Sequence, residues 1–202
     1  LSKIKNEKTI KNIRKIIMPY QTKEVIFLGG LNMITNDIIN FVKNDLKIFG
    51  IAIFLFLIIS LILIFRQLRW VFIPLITCLT SVIITAGILG IFGWNITIIS
   101  SNFISLQLIF TMAIIVHLTV KYRELYSLNP NFSQEELLIK TISTMAIPCF
   151  YTVLTTIVGF SSLVFSGLLP VINFGWMMSL GIIISLITAF ILFPLLQINL
   201  RK

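Results

Sequence analysis

The chain has 202 residues, 57% of them hydrophobic and 11% charged, with a mean hydropathy of +1.04. A soluble domain carries about 25% charged residues, which excludes a water-soluble enzyme of this length, and disorder is excluded because it needs low hydrophobicity. Sixteen Lys and Arg against seven Asp and Glu give a net charge of +9, but nine of the sixteen precede residue 48, spread along one polar segment, which is not a nucleic-acid-binding pattern.

That segment, residues 1–47, reads as helix, strand, helix. Ile4, Ile10, Ile13, Ile16 and Ile17 recur near helical spacing among lysines, and Pro19 ends the run. Glu24–Leu28 is a short β-branched and aromatic strand stopped by Gly29–Gly30. A second amphipathic helix starts near Thr35–Asn36–Asp37 and runs through Lys47 into the apolar region. An amphipathic helix lying on the membrane surface is the competing reading; the intervening strand favours the α+β edge of an external domain. The first residue is Leu1, and the chain is expected to be part of a longer protein.

Five apolar stretches follow, each near or above the ~20 residues that cross a bilayer: about 48–65, 70–92, 96–120, 142–168 and 171–200. Arg66 and Arg69 lie between the first and second. Lys121, Arg123 and Lys140 lie between the third and fourth, and Arg201 and Lys202 follow the fifth. The alternate loops, at Gly93–Asn95 and Gly167–Pro170, contain no Lys or Arg. The positive-inside rule then places the charged loops and the C-terminus in the cytoplasm. It places residues 1–47 outside, despite their nine basic residues, as for the tail of a large translocated domain.

Between the third and fourth spans, Asn129–Pro130 breaks the chain just before Phe132-Ser133-Gln134-Glu135-Glu136-Leu137. This is a capping box with a hydrophobic staple, Ser133 with Glu136 and Phe132 with Leu137. It predicts an amphipathic cytoplasmic helix near 134–141 that feeds the fourth span.

Ionisable or strongly polar groups inside a membrane mark function by default. Span three concentrates them: Asn102, Gln107, Thr111 and His117 are the transport candidates, with Ser100, Ser101 and Ser105 nearby. The competing reading is plain helix–helix hydrogen bonding, roughly 0.6–2 kcal/mol each. His117 is a candidate proton carrier, but lies one turn from Lys121, where it can simply cap or snorkel. One His, two separated cysteines (Cys78 and Cys149) and no nearby carboxylate make no metal cluster. The cysteines are read as packing residues. No cofactor motif or nucleophile–base pair points to an enzyme. Gly181, Ser185 and Ala189, and Ala86 with Gly90, form small-xxx-small steps that let helices approach closely.

Taken in order, Gly30-Leu31-Asn32-Met33, Asp45-Leu46, the basic turn Arg66-Gln67-Leu68-Arg69, Ser101–Ser105, Ile115–Glu124 and Thr155-Thr156-Ile157-Val158-Gly159-Phe160 resemble the resistance-nodulation-division (RND) superfamily. The likeness is to MMPL-like exporters and the related sterol-sensing domain. It implies a membrane all-α fold: a five-transmembrane-helix bundle, the second to sixth helices of one repeat, preceded by the end of an extracytoplasmic porter-type domain and its lead-in helix. It implies the remaining repeat of the same protein as a partner, a lipid or amphiphilic substrate, a homo-oligomer as a further candidate assembly, and the cell inner membrane as location. The family's proton-relay acid, about one turn before the His-Leu stretch, falls on Ala113 and does not carry over. The expected function is export of hydrophobic or amphiphilic compounds by an RND-type secondary transporter. The alternative is a sterol- or lipid-sensing bundle of the same fold.

Overall fold

The computed structural model describes residues 2–20, 29–94 and 102–200. The chain divides into two compact units, Leu1–Asp45 and Leu46–Lys202.

In the first unit, α1 (Ser2–Ile17) closes in a 3-10 turn, Met18–Tyr20. Pro19 sits inside that turn, where its missing N–H and fixed φ prevent α1 from continuing. The long helix α2 (Leu31–Phe65) begins four residues before the expected start. The reason is local: the Ile34 amide bonds back to the Gly30 carbonyl at 3.0 Å, and Gly30 takes a φ of +145° that side chains rarely adopt. Thr35 is therefore inside the helix, its hydroxyl donating to the Leu31 carbonyl at 2.8 Å instead of capping. Arg14 of α1 pairs with Asp37 of α2. The predicted strand Glu24–Leu28 lies outside the described residues, and among those described there is no strand. The expected α+β edge is therefore not shown, and the described residues before the bundle are helical.

The second unit continues with α3 (Leu68–Ile91), α4 (Phe103–Leu128), α5 (Gln134–Ser161) and α6 (Leu169–Leu200). A 3-10 turn, Ser162–Ser166, joins the last two. Counting α2, five helices are long and apolar enough to cross a membrane. α6 packs against α3, α4 and α5, and α4 also packs against α3 and α5. One buried cluster centres on Ile115, Leu118, Tyr122, Leu137, Met178 and Phe193. In a second, Leu57, Leu61 and Phe65, a stripe at steps of four on α2, meet Val71, Cys78, Leu108 and Met112.

Two helix limits differ from the sequence expectation. α4 does not stop at Lys121 but continues to Leu128, as a polar extension braced by the Lys121–Glu124 pair one turn apart, 3.0 Å. The 134–141 segment and the fourth span are one uninterrupted helix, α5, because nothing between Lys140 and Ile142 breaks the hydrogen-bond ladder. Its start has the expected capping box: the Glu136 amide donates to Ser133 Oγ at 3.2 Å, and the Ser133 amide donates to a Glu136 carboxylate oxygen at 2.8 Å.

The α5–α6 contact is close. A Cβ built on Gly175 would lie 2.6 Å from the Phe160 carbonyl oxygen and 3.1 Å from Leu163 Cβ. Only glycine lets the two backbones come that near. The rings of Phe110, Phe160 and Phe174 stack edge-on around this crossing, with centroids 5.8 and 5.9 Å apart.

Candidate functional site

Where α3, α4 and α6 meet, their buried faces are polar. α3 presents Thr77, Ser81 and Thr85 at steps of four, so all three share one face. α4 presents Gln107 and Thr111, and α6 presents Ser185 one turn after Gly181. Thr77, Ser81, Thr85, Gln107, Thr111 and Ser185 are all fully buried.

Ser185 Oγ lies 2.7 Å from Thr111 Oγ1 and 3.0 Å from Ser81 Oγ, which ties all three helices at one point. One turn away, Gln107 Nε2 donates to Thr85 Oγ1, and at 3.3–3.4 Å to the carbonyls of Ser81 and Gly181. Those two carbonyls accept and cannot donate, which assigns the nitrogen to that side of the amide. Gln107 Oε1 is then left buried with no hydrogen-bond partner. Gly181 makes room for the amide: a Cβ there would lie 3.1 Å from the Phe103 ring and 3.4 Å from Gln107 Cδ.

Leucine at 107 would avoid an unpaired acceptor, whose burial costs about 1–3 kcal/mol. The hydroxyls carry the chemical versatility of the knot. Each can donate or accept, and Thr85, Thr111 and Ser185 also hold their own helix carbonyls at 2.8–2.9 Å. A hydroxyl in the knot can therefore trade its own helix carbonyl for a hydroxyl on a neighbouring helix. No carboxylate enters the knot. Among the described residues no three His, Cys, Asp or Glu side chains gather as a metal site.

Of the four residues singled out from the sequence, two meet and two stand apart. Gln107 and Thr111 form the α4 side of the knot. Asn102 is exposed at the start of α4 and makes no side-chain cap bond, and His117 is exposed on the opposite face from Leu118 and Thr119. Ala113 is exposed as well, on the face carrying Ile109, His117 and Val120. Ser100 and Ser101 lie outside the described residues. Span three does not hold the buried polar residues alone: four of the six, Thr77, Ser81, Thr85 and Ser185, come from α3 and α6. The signal missed was the Thr77–Ser81–Thr85 spacing in the second span. A correction concerns the small residues. Gly181, Ser185 and Ala189 face the bundle interior, but Ala86 and Gly90 are exposed, and among the described residues nothing lies within 4 Å of a Cβ built on Gly90. Burial on α3 runs through the hydroxyl stripe instead.

A family model described as the MMPL family matches residues 2–200. No curated protein and no solved structure matches the chain. The match spans nearly the whole sequence, and the chain belongs to the MMPL family: it is a multi-pass, RND-type, transporter-like membrane protein.

Proposed function

From that membership we propose that the chain is the transmembrane segment of a secondary transporter that moves hydrophobic or amphiphilic compounds out across the cell inner membrane. The observation that carries the reading is the Gln107 knot. A bundle needing only stability would place leucine there, whereas alternating access needs helices that are held together yet can re-pair. Seven basic residues in one set of loops against none in the other favour a cytoplasmic C-terminus. Shallow apolar grooves support the substrate class. One, about 570 Å3, is lined by Ile147, Phe150, Tyr151, Leu186 and Phe190 between α5 and α6.

In this mechanism substrate moves along apolar faces while the knot sets which arrangement of α6 is populated. The knot contains no proton-carrying acid, and position 113 is alanine. Proton coupling in the whole transporter therefore falls to the remaining repeat. The same observation favours a second reading, a sterol- or lipid-sensing bundle, which needs rearranging helices but no proton path.

The test is export of an amphiphilic dye from vesicles containing the full-length protein, with and without a proton gradient. Gradient-dependent export that Gln107→Leu abolishes at unchanged abundance is the result expected. Sterol- or lipid-dependent changes in the protein without dye export would establish the sensor instead. A cysteine near Asn95 should label from outside and one near Asn129 only from inside; the reverse pattern would overturn the direction of export.

A further inference from the structure

At the charged end of the bundle, a cavity of about 360 Å3 opens between the start of α3, the last turns of α4 and the end of α6. Gln67, Tyr126 and Ser127 form its exposed rim, Trp70 and Arg123 are half-buried, and Tyr122 and Gln197 form the buried wall. Two groups in it are incomplete. Arg123 has its guanidinium carbon 5.3 Å from the Phe65 ring centre and 5.7 Å from that of Trp70, stacked on aromatic faces. Among the described residues no carboxylate pairs with it, because its neighbour Glu124 is engaged by Lys121. Gln197, 1% exposed, has a buried Oε1 with no hydrogen-bond partner.

An unpaired guanidinium calls for an anion, and its planar fork matches a phosphate. An orphaned amide oxygen calls for a donor. One ligand supplies both if a phosphodiester carries an N–H or O–H on its alcohol. The surroundings fix where that ligand comes from. Trp70, Tyr122 and Tyr126 cluster here as aromatic residues do at the headgroup level of a bilayer, and basic pockets between transmembrane helices hold lipid headgroups. The Trp70 indole donates to Gln67 Oε1 at 2.9 Å, which turns the Gln67 amide nitrogen into a remaining donor at the rim. We propose that this cavity binds the headgroup of a membrane phospholipid whose alcohol bears a hydrogen-bond donor, as in phosphatidylethanolamine, with the phosphate on Arg123 and the donor on Gln197. The site lies apart from the Gln107 knot and does not depend on the transport reading.

The experiment is lipid retention by the purified full chain in detergent, read by native mass spectrometry after exposure to mixed vesicles of phosphatidylethanolamine and phosphatidylcholine. Phosphatidylcholine has the same phosphate but no N–H, so it isolates the contribution of Gln197. The parent should retain phosphatidylethanolamine about tenfold over phosphatidylcholine, the effect of one charge-assisted hydrogen bond. Gln197→Leu should abolish that preference while keeping phosphate-dependent retention, and Arg123→Gln should lose both lipids. Arg123→Lys, which keeps the charge without the fork, should fall between. Equal retention of the two lipids by the parent, or a preference that survives Gln197→Leu, overturns the proposal. So does displacement of the lipid by soluble phosphoethanolamine, which would assign the cavity to a free phosphate ester.

Discussion

α4 and α5 are similar in length and hydropathy, and both are rich in hydroxyls, yet the middle turns of the two helices use them differently, although Ser161 at the end of α5 also reaches Ser179 of α6 at 3.4 Å. In the most apolar part of α4 56% of residues are buried, against 11% in α5. On α4, Ser105, Thr111 and Thr119 face the interior, and Thr111 bonds across to α6. On α5, Thr152 and Thr155 are exposed, and the hydroxyls of Thr152, Thr155 and Thr156 return to their own helix at 2.7–3.0 Å. A hydroxyl bonded to its own helix is satisfied without any neighbour, so it fits a surface that faces lipid or another protein segment. A hydroxyl bonded across helices defines a relative position. Counting polar residues per span therefore does not find the functional helix; the direction of their hydrogen bonds does.

The largest expected effect attacks the point where α5 depends on α6. Gly175→Ala forces a methyl to 2.6 Å from a backbone oxygen that cannot swing away. Overpacking of this kind costs about 1–3 kcal/mol, so the midpoint of thermal unfolding in detergent should drop clearly. Gly159→Ala, in the α5 signature itself, meets nothing within 4 Å and should leave the midpoint unchanged or slightly higher. Equal behaviour of the two variants would remove the close crossing from the account.

The second effect separates function from stability. Gln107→Leu should reduce export by about tenfold or more, the scale of a typical coupling energy, with normal abundance. Thr155→Val, on the outward face of α5, should leave export within about twofold, since that hydroxyl bonds only within its own helix. A strong defect from Thr155→Val with Gln107→Leu silent would reverse the roles of the two helices.

Much of this comparison was legible in advance, and the limits have physical causes. The spans and basic turns follow from hydropathy, which is a property of a stretch. The capping box was readable because its two residues are three apart and act on each other. What eluded the sequence was direction. Thr77, Ser81 and Thr85 look no different from Thr152 and Thr156 until α3 is rotated against its neighbours. The same holds for Ala86–Gly90, a close-packing motif that faces outward. α4 outran its apolar stretch because a helix ends where its hydrogen bonds fail, and Lys121 breaks none of them.

The third effect lies at the polar start of α5. Ser133→Ala removes one side of the capping box and should cost about 0.5–2 kcal/mol of local helix stability, seen as faster amide exchange over residues 134–138. Export should persist. Its loss in stably inserted protein would give this loop a direct role. The equivalent change at the other end of α5, Ser162→Ala, removes only a hydroxyl bonded to the Gly159 carbonyl at 2.7 Å, and its effect should be smaller.

The smallest effect is the most discriminating for the knot. Thr111 Oγ1 and Ser185 Oγ are 2.7 Å apart, but each also lies within 2.8 Å of a carbonyl of its own helix. A hydroxyl has one proton, so one of the pair must donate to the other while its helix carbonyl goes without that bond. The interhelical bond thus competes with a good local alternative, which is why such bonds average only about 0.6 kcal/mol in membranes. Thr111→Val and Ser185→Ala should each be mild, and the double variant should destabilise by less than their sum, with a coupling of about 0.6 kcal/mol in an unfolding cycle. Thr152→Val combined with Ser185→Ala, a pair with no shared hydrogen bond, should be additive. Additivity at Thr111–Ser185 would mean that both hydroxyls serve their own helices, as on α5, and the distinction between the two helices would then rest on Gln107 alone.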